Sequence, residues 1–495
     1  MSSRRIGIRK PSRRIECAGV VAIGLFSSGC LGPVVKNGPL AERDVHAGYR
    51  FDTLEPGPDN TDDTFICLCF SGGGTRAAAL SFGVLQALRD TPIPPSANGR
   101  PARRLLDEVD IISSVSGGSF TSMSYGLDRD AVFDGRFERE FLKQNIQNQL
   151  IFMLLRPKNL LLLPYVMLDR IDLAADYYDK AVFDHRTFRD LLDRGDRPYL
   201  VINATNMALG ERFEFTQDEF DLLGSDLATL PVGHAVAASS AFPLLFSPLR
   251  LKYYPGAAAD SAIDAALTDP NPRAQQGRRY KWASNLTPQV DTAGEQPTHT
   301  LDADNHQYLY LLDGGLTDNL GVTYVIDELR SGRIRDMIDV GGIKKLVVII
   351  VDANTNAPAP IEHQAGAPGL FLMAEKTGTT SMYNYSKAMT NVLRFMLCEF
   401  PERLREMDDR CRASMNRQCP GAVPPDPPAA LGVRTYVVEV SLHEIADPKT
   451  RRRFLAMPTS LFLFPSDVDA LIDMARTLLA QSGDFQRLLR DLGGP

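Results

Sequence analysis

The stretch from Phe65 to Asp90 constrains the fold most. Phe65–Phe70 is an unbroken apolar run, Ser71-Gly72-Gly73-Gly74 ends it, and Thr75–Asp90 then carries apolar side chains at helical spacing. A short apolar run without polar alternation is a strand buried on both faces, and such strands belong to sheets that helices cover on both sides. The same order recurs at Val109–Val115, where SGGS turns the chain into a second helical stretch over Phe120–Leu127. Further strands are expected at Tyr199–Asn203, Tyr308–Leu312, Lys345–Asp352 and Arg434–Ser441, with helical segments between them. The fold class is therefore α/β: three layers, with a central, mostly parallel sheet and helices on both faces.

The amino terminus reads as an address. Arg4, Arg5, Arg9, Lys10, Arg13 and Arg14 precede an uncharged stretch from Cys17 to Cys30 that is too short and too rich in Gly and Ser for a membrane span. Residues 1–30 are expected to be a signal peptide. Cys30, after Ser27, Ser28 and Gly29, resembles the cleavage box of bacterial lipoproteins, in which the cysteine is lipidated, although Ser27 stands where that box usually has Leu. The resemblance implies an exported, membrane-anchored protein, and an ordinary signal peptide or an uncleaved tail are the other readings. A polar linker over 31–63, a catalytic domain over 64–355 and a C-terminal extension over 356–495 packed on it complete the expected organisation. The greasy segment 149–170 is read either as a lid that meets lipid or as two core helices.

With 61 acidic and 54 basic residues the net charge is −7, which offers no footprint for a nucleic-acid backbone. No CxxC or HExxH spacing is present, so neither a metal nor a cofactor is expected. Cys67 and Cys69 share one face of a strand as buried small side chains, and Cys411 with Cys419 suits a local disulfide.

Three sites carry chemistry. The Ser71–Arg76 loop, between a strand and a helix amino terminus, is either an anion cradle built from backbone N–H groups or a tight packing turn; Thr75-Arg76 in place of Lys-Ser/Thr excludes a nucleotide P-loop. Ser114-Val115-Ser116-Gly117-Gly118 has the layout of a nucleophile elbow, with Ser114 where the usual pattern has Gly. Asp313-Gly314-Gly315 follows the run YLYLL and can aim a carboxylate into a cleft. For a histidine-based triad the set would be Ser116, Asp352 and either His363 or His443.

In order and combination these three sites resemble the patatin-like phospholipase family. The blocks RIDLAADYYDKAVFDHRTFRDL (170–191), INATNMALGERFEFTQ (202–217), AVAASSAFPLLFSP (235–248) and LYLLDGGLTDNLG (309–321) are similar to those of bacterial patatin-like lipoproteins, over about residues 60–350. The resemblance implies Ser116 as nucleophile, Asp313 as general base, the N–H groups of Gly72, Gly73 and Gly74 as oxyanion donors, and Arg76 as a residue that steadies the loop or a phosphate. It implies that Ser239, Ser240 and Pro243 form a packing element beside the site. The implied activity is hydrolysis of membrane phospholipids or lysophospholipids at the membrane surface by a Ser–Asp dyad. Two alternatives are a Ser–His–Asp esterase of the α/β-hydrolase type and a non-catalytic lipid-binding lipoprotein.

Overall fold

The computed structural model describes residues 36–61, 63–95, 101–155, 170–243, 245–272, 274–288, 299–355, 370–419, 423 and 426–493. The signal peptide, Cys30, His363 and most of the greasy segment (156–169) lie outside them.

Eight strands build the central sheet: β1 (Thr64–Phe70), β2 (Val109–Val115), β3 (Tyr199–Asn206), β4 (Glu211–Glu214), β5 (Leu249–Lys252), β6 (Tyr308–Asp313), β7 (Lys345–Asp352) and β8 (Arg434–Ser441). Their order is β8-β7-β1-β2-β3-β6-β5, with β4 folded back on β3. From β8 to β3 every pairing is parallel; β6, β5 and β4 run antiparallel to their neighbours. Every residue of β1, β2 and β3 is buried. Because side chains alternate between faces, burial at every position means that both faces are covered. β6 instead alternates, with Tyr308 and Tyr310 exposed and Leu309 and Leu311 buried, as an antiparallel strand near an edge does. The short β4 and β5 escape a sequence reading because a few residues with two or three charges do not stand out from a loop.

Helices α1 (Gly74–Arg89) and α2 (Gly117–Asp128) follow β1 and β2 directly. Four more matter to the site: α3 (Val232–Ser239), α4 (Leu370–Arg394), α5 (Pro448–Leu455) and α6 (Pro465–Gln481). Helix α6 lies along α1. Among the described residues no helix is long and apolar enough to cross a membrane.

Three expectations change. The described part of the linker is folded into the body: Tyr49, Phe51 and Leu54 are buried, and the Arg50 guanidinium pairs with Asp221 at 2.7 Å and with Asp218. Polar composition misled there because these polar groups are paired rather than solvated. The region beyond 355 is not a separate extension; β8 extends the same sheet through eight parallel pairs with β7. Cys411 and Cys419 are free thiols, because both lie on or at the end of the helix Phe400–Gln418. Eight residues of helix separate them by about 12 Å, beyond the roughly 7 Å that a disulfide spans between Cα atoms.

Candidate active site

Ser116 caps α2 with φ 48° and ψ −118°, a conformation that non-glycine residues adopt only under constraint. The constraint is visible. The Ser116 N–H donates to Ser239 Oγ at 2.8 Å, and Ser239 Oγ donates to the Asn203 carbonyl at 2.6 Å. Asn203 is the ladder partner of Val115, so the last residue of α3 ties the elbow to the strand beside it. A Cβ on Gly117 would lie 2.1 Å from the Gly74 carbonyl oxygen, so only glycine lets the elbow meet the glycine loop this closely. The Ser114 departure is accommodated: its hydroxyl lies 2.7 Å from Ser122 Oγ within the core.

Sheet register brings Asp313 to this elbow. Val115 pairs with Asn203 across β2 and β3, and the next residue of β3, Ala204, pairs with Asp313 on β6. Thr205 Oγ1 donates to the Asp313 carbonyl at 2.8 Å, and the Asp313 and Gly314 N–H groups donate to Ala241 and Ser239 carbonyls. The side chain is buried; its Oδ1 accepts the Gly315 N–H at 2.8 Å, and the neighbouring Ser116 side chain favours its charged form. Desolvation pushes its pKa from 3.8 up to about 7, and those two interactions only partly offset the rise. Helix α4 covers the turn, with Met382 closing on Gly315.

Of the three glycines expected as oxyanion donors, Gly73 and Gly74 have N–H groups that are not engaged among the described residues. The Gly72 N–H is already given to the Asn319 carbonyl at 2.9 Å, so Gly72 is a wall rather than an oxyanion donor. A Cβ at Gly72 would fall 2.5 Å from Asn319 Oδ1 and 3.3 Å from Ser116 Cβ. The N–H groups of Gly73 and Gly74 meet no acceptor among the described residues, and they open the amino terminus of α1. The far side of the loop is fixed by the C-terminal region: Thr75 N–H donates to the Ser460 carbonyl at 2.9 Å. Arg76 is buried and consumed, with its guanidinium on the carbonyls of Ala353 and Met457 (both 2.7 Å) and on Thr459 Oγ1 (3.0 Å). Burial lowers its pKa to about 10, and Asp352 opposes that shift. Arg76 therefore braces the loop: it is buried, and three of its five N–H groups are spent on residues 353–459.

The triad alternative finds no geometry among the described residues; His363 lies outside them. Among the described residues no histidine enters the electrostatics of Asp313. His443 acts on Asp352, but Asp352 accepts the Asn354 N–H and also senses Arg76 and Glu439, whereas the Ser116 side chain acts on Asp313. His234 is buried in α3, and desolvation holds its pKa down at about 4. Cys67 and Cys69 are fully buried, and burial pushes both thiols well above their ordinary range. Sequence reasoning placed Ser239 only as packing and overlooked Asn319 and Ser460. Asn319 stands within the DGGLTDNLG block; Ser460 meets the loop from 386 residues further along the chain, and no local signal announces it.

A hydroxyl on a strained elbow, a buried carboxylate beside it and two unengaged N–H groups, all on a three-layer α/β fold, define the class of site. Residues 68–275 match the family model described as patatin-like phospholipase, and the chain carries that domain. Among solved structures, human GIVD cytosolic phospholipase A2 is similar, with a TM-score of 0.43 and 14% identity over 87% of this chain. The same human enzyme in complex with methyl gamma-linolenyl fluorophosphonate gives 0.40 and 15% over 87% of this chain and 59% of that one. VipD from Legionella pneumophila gives 0.25 and 12%, over 87% of this chain and 71% of that one. The chain spans about 60% of the length of the human enzyme. No curated protein matches.

Proposed function

We propose that the chain is a lipid acyl hydrolase of the phospholipase A or lysophospholipase type, working through a Ser116–Asp313 dyad. One observation carries the proposal: sheet register brings the strained Ser116 elbow to a buried Asp313 carboxylate that desolvation pushes up to about 7, and among the described residues no cation offsets that burial. The patatin-like phospholipase domain supports the substrate class.

As Ser116 Oγ bonds to the ester carbonyl carbon, its proton passes to Asp313, and the carbonyl oxygen takes the negative charge. The Gly73 and Gly74 N–H groups and the positive end of α1 stabilise that oxyanion. Collapse breaks the ester C–O bond, the departing alcohol takes the proton from Asp313, and the acyl chain remains on Ser116. Water then gives a proton to Asp313 and attacks the acyl carbon; the bond to Ser116 Oγ breaks, Asp313 returns the proton to that oxygen, and the fatty acid leaves. Chemistry of this kind needs no metal, and no cluster of potential ligands occurs among the described residues.

Acyl release from phospholipids, lysophospholipids and p-nitrophenyl esters tests the reading. Release that vanishes in Ser116→Ala and Asp313→Asn supports it; near-normal turnover in both, with folded protein, overturns the dyad. Loss of all activity in His443→Ala would restore the triad. We also propose export and lipid attachment at Cys30, on the amino-terminal pattern alone. Incorporation of labelled palmitate that persists in Cys30→Ser would refute it.

A further inference from the structure

The loop that braces the glycine turn also carries basic and aromatic side chains at the surface. Helix α5 (Pro448–Leu455) reads PKTRRRFL, and Lys449, Arg452 and Arg453 are exposed within an arc of about 100° on one face. Among the described residues only Arg453 of these three is ion-paired, with Asp467 at 2.9 Å. Two acids of this region are engaged: Asp447 caps α5 through the Thr450 N–H, and Asp469 pairs with Lys143 at 2.6 Å; Glu444, ahead of α5, is exposed. Immediately after α5, Met457, Thr459 and Ser460 hold Arg76 and Thr75 of the glycine loop. Beyond them Phe462 and Phe464 form an aromatic pair with ring centroids 5.4 Å apart, and Phe464 is 64% exposed. The Leu461 carbonyl accepts the Gln147 N–H of the neighbouring helix Ile146–Leu154, which leaves Phe152 68% exposed. Leu155, just beyond that helix, is 58% exposed.

We propose that α5 and the loop through Phe464, with Phe152 and Leu155, form a docking surface for an anionic phospholipid bilayer. The inference rests on the acyl hydrolase reading and extends it to the partner that presents the substrate. Unpaired basic side chains beside exposed aromatic and aliphatic ones match a layer whose headgroups are negative and whose interior is apolar. Position strengthens the match. The Ser460 carbonyl lies against Gly74 and the Gly74 carbonyl against Gly117, so one unbroken series of close contacts joins the docking loop to the elbow that carries Ser116.

The test uses the full chain carrying Ser116→Ala, so that binding is read without turnover and any contribution of residues 1–35 is common to all variants. Co-sedimentation with vesicles of phosphatidylglycerol and phosphatidylcholine (3:7) should exceed that with phosphatidylcholine alone and fall as salt is added. Each basic side chain is worth about fivefold in partitioning at such a surface, so Lys449→Glu with Arg452→Glu should lower binding at least about 25-fold. Phe464→Ser should lower it further. In the Ser116 background both variants should hydrolyse a soluble p-nitrophenyl ester at the unsubstituted rate, which separates lost docking from lost folding. Binding that is unchanged in the double variant, or equal on both kinds of vesicle, overturns the docking surface. Absence of ester hydrolysis by the Ser116 chain would count against the enzyme reading and leave the vesicle result standing by itself.

Discussion

Two buried aspartates sit at opposite ends of the strands that build the site, and both are pushed from 3.8 to about 7 by desolvation. Asp110, at the start of β2, is tied down: Ile66 N–H donates to it at 2.9 Å, Arg197 pairs with it at 3.1 Å and Asn60 donates at 3.1 Å. Asp313, at the end of β6, accepts the Gly315 N–H and has the Ser116 side chain beside it, and among the described residues no cation offsets its burial. The same displaced pKa thus marks a structural ion pair in one place and an available base in the other. A shifted carboxylate becomes a candidate for catalysis only when its unsatisfied capacity faces a reactive group.

Deleting each charge should separate the two roles most widely. Asp313→Asn should lower kcat by about 10³-fold or more, as removal of a positioned base does. Asp110→Asn should leave kcat within about twofold. Steady-state kinetics on a soluble ester checks both, and equal losses in the two variants would collapse the distinction.

Stability should move the opposite way. Each folded-state pKa lies above the unfolded value, so the folded protein holds the extra proton and stability falls as pH rises from about 4 to about 7. For Asp313 the shift corresponds to about 4 kcal/mol at pH 8, and Asp313→Asn removes it without stranding a cation. That variant should melt higher than the parent at pH 8 and close to it at pH 4. Asp110→Asn also removes an ionisation penalty but deprives Arg197 of its carboxylate, and should cost about 3 kcal/mol net. Thermal melts at the two pH values decide it; a destabilised Asp313→Asn at pH 8 would mean that its carboxylate is structural after all.

The part of this contrast that is legible in sequence is the part written locally. Apolar runs announce β1 and β2 because every position is buried, and the turns after them are spelled by glycines and serines in the chain itself. Asp313 is legible as a turn after YLYLL, but its meeting with Ser116 depends on an antiparallel register between β6 and β3 that no local pattern encodes. The bracing of the glycine loop by residues 457–460 is hidden for the same reason, and the polar partners of Arg50 made a folded segment read as linker.

Ser239 sharpens the comparison from the nucleophile's side. Its hydroxyl is the acceptor that holds the Ser116 N–H and the donor that satisfies the Asn203 carbonyl. Ser239→Ala should lower kcat about 10- to 100-fold with KM little changed, because the elbow relaxes while the lipid contacts stay. A rise in KM at constant kcat would assign Ser239 to substrate binding instead.

The smallest expected effect is the most specific to Asp313. A base must be ionised to accept the serine proton, so kcat/KM should rise with pH through an apparent pKa of about 7. At pH 6 about one-tenth of the carboxylate is ionised and at pH 8 about nine-tenths, so the ratio between them should be about tenfold. Asp110 titrates in the same range but stands at the far end of β2, and Asp110→Asn should leave the midpoint where it was. A midpoint that moves in that variant would place the controlling ionisation at the ion pair and take the assignment of the base away from Asp313.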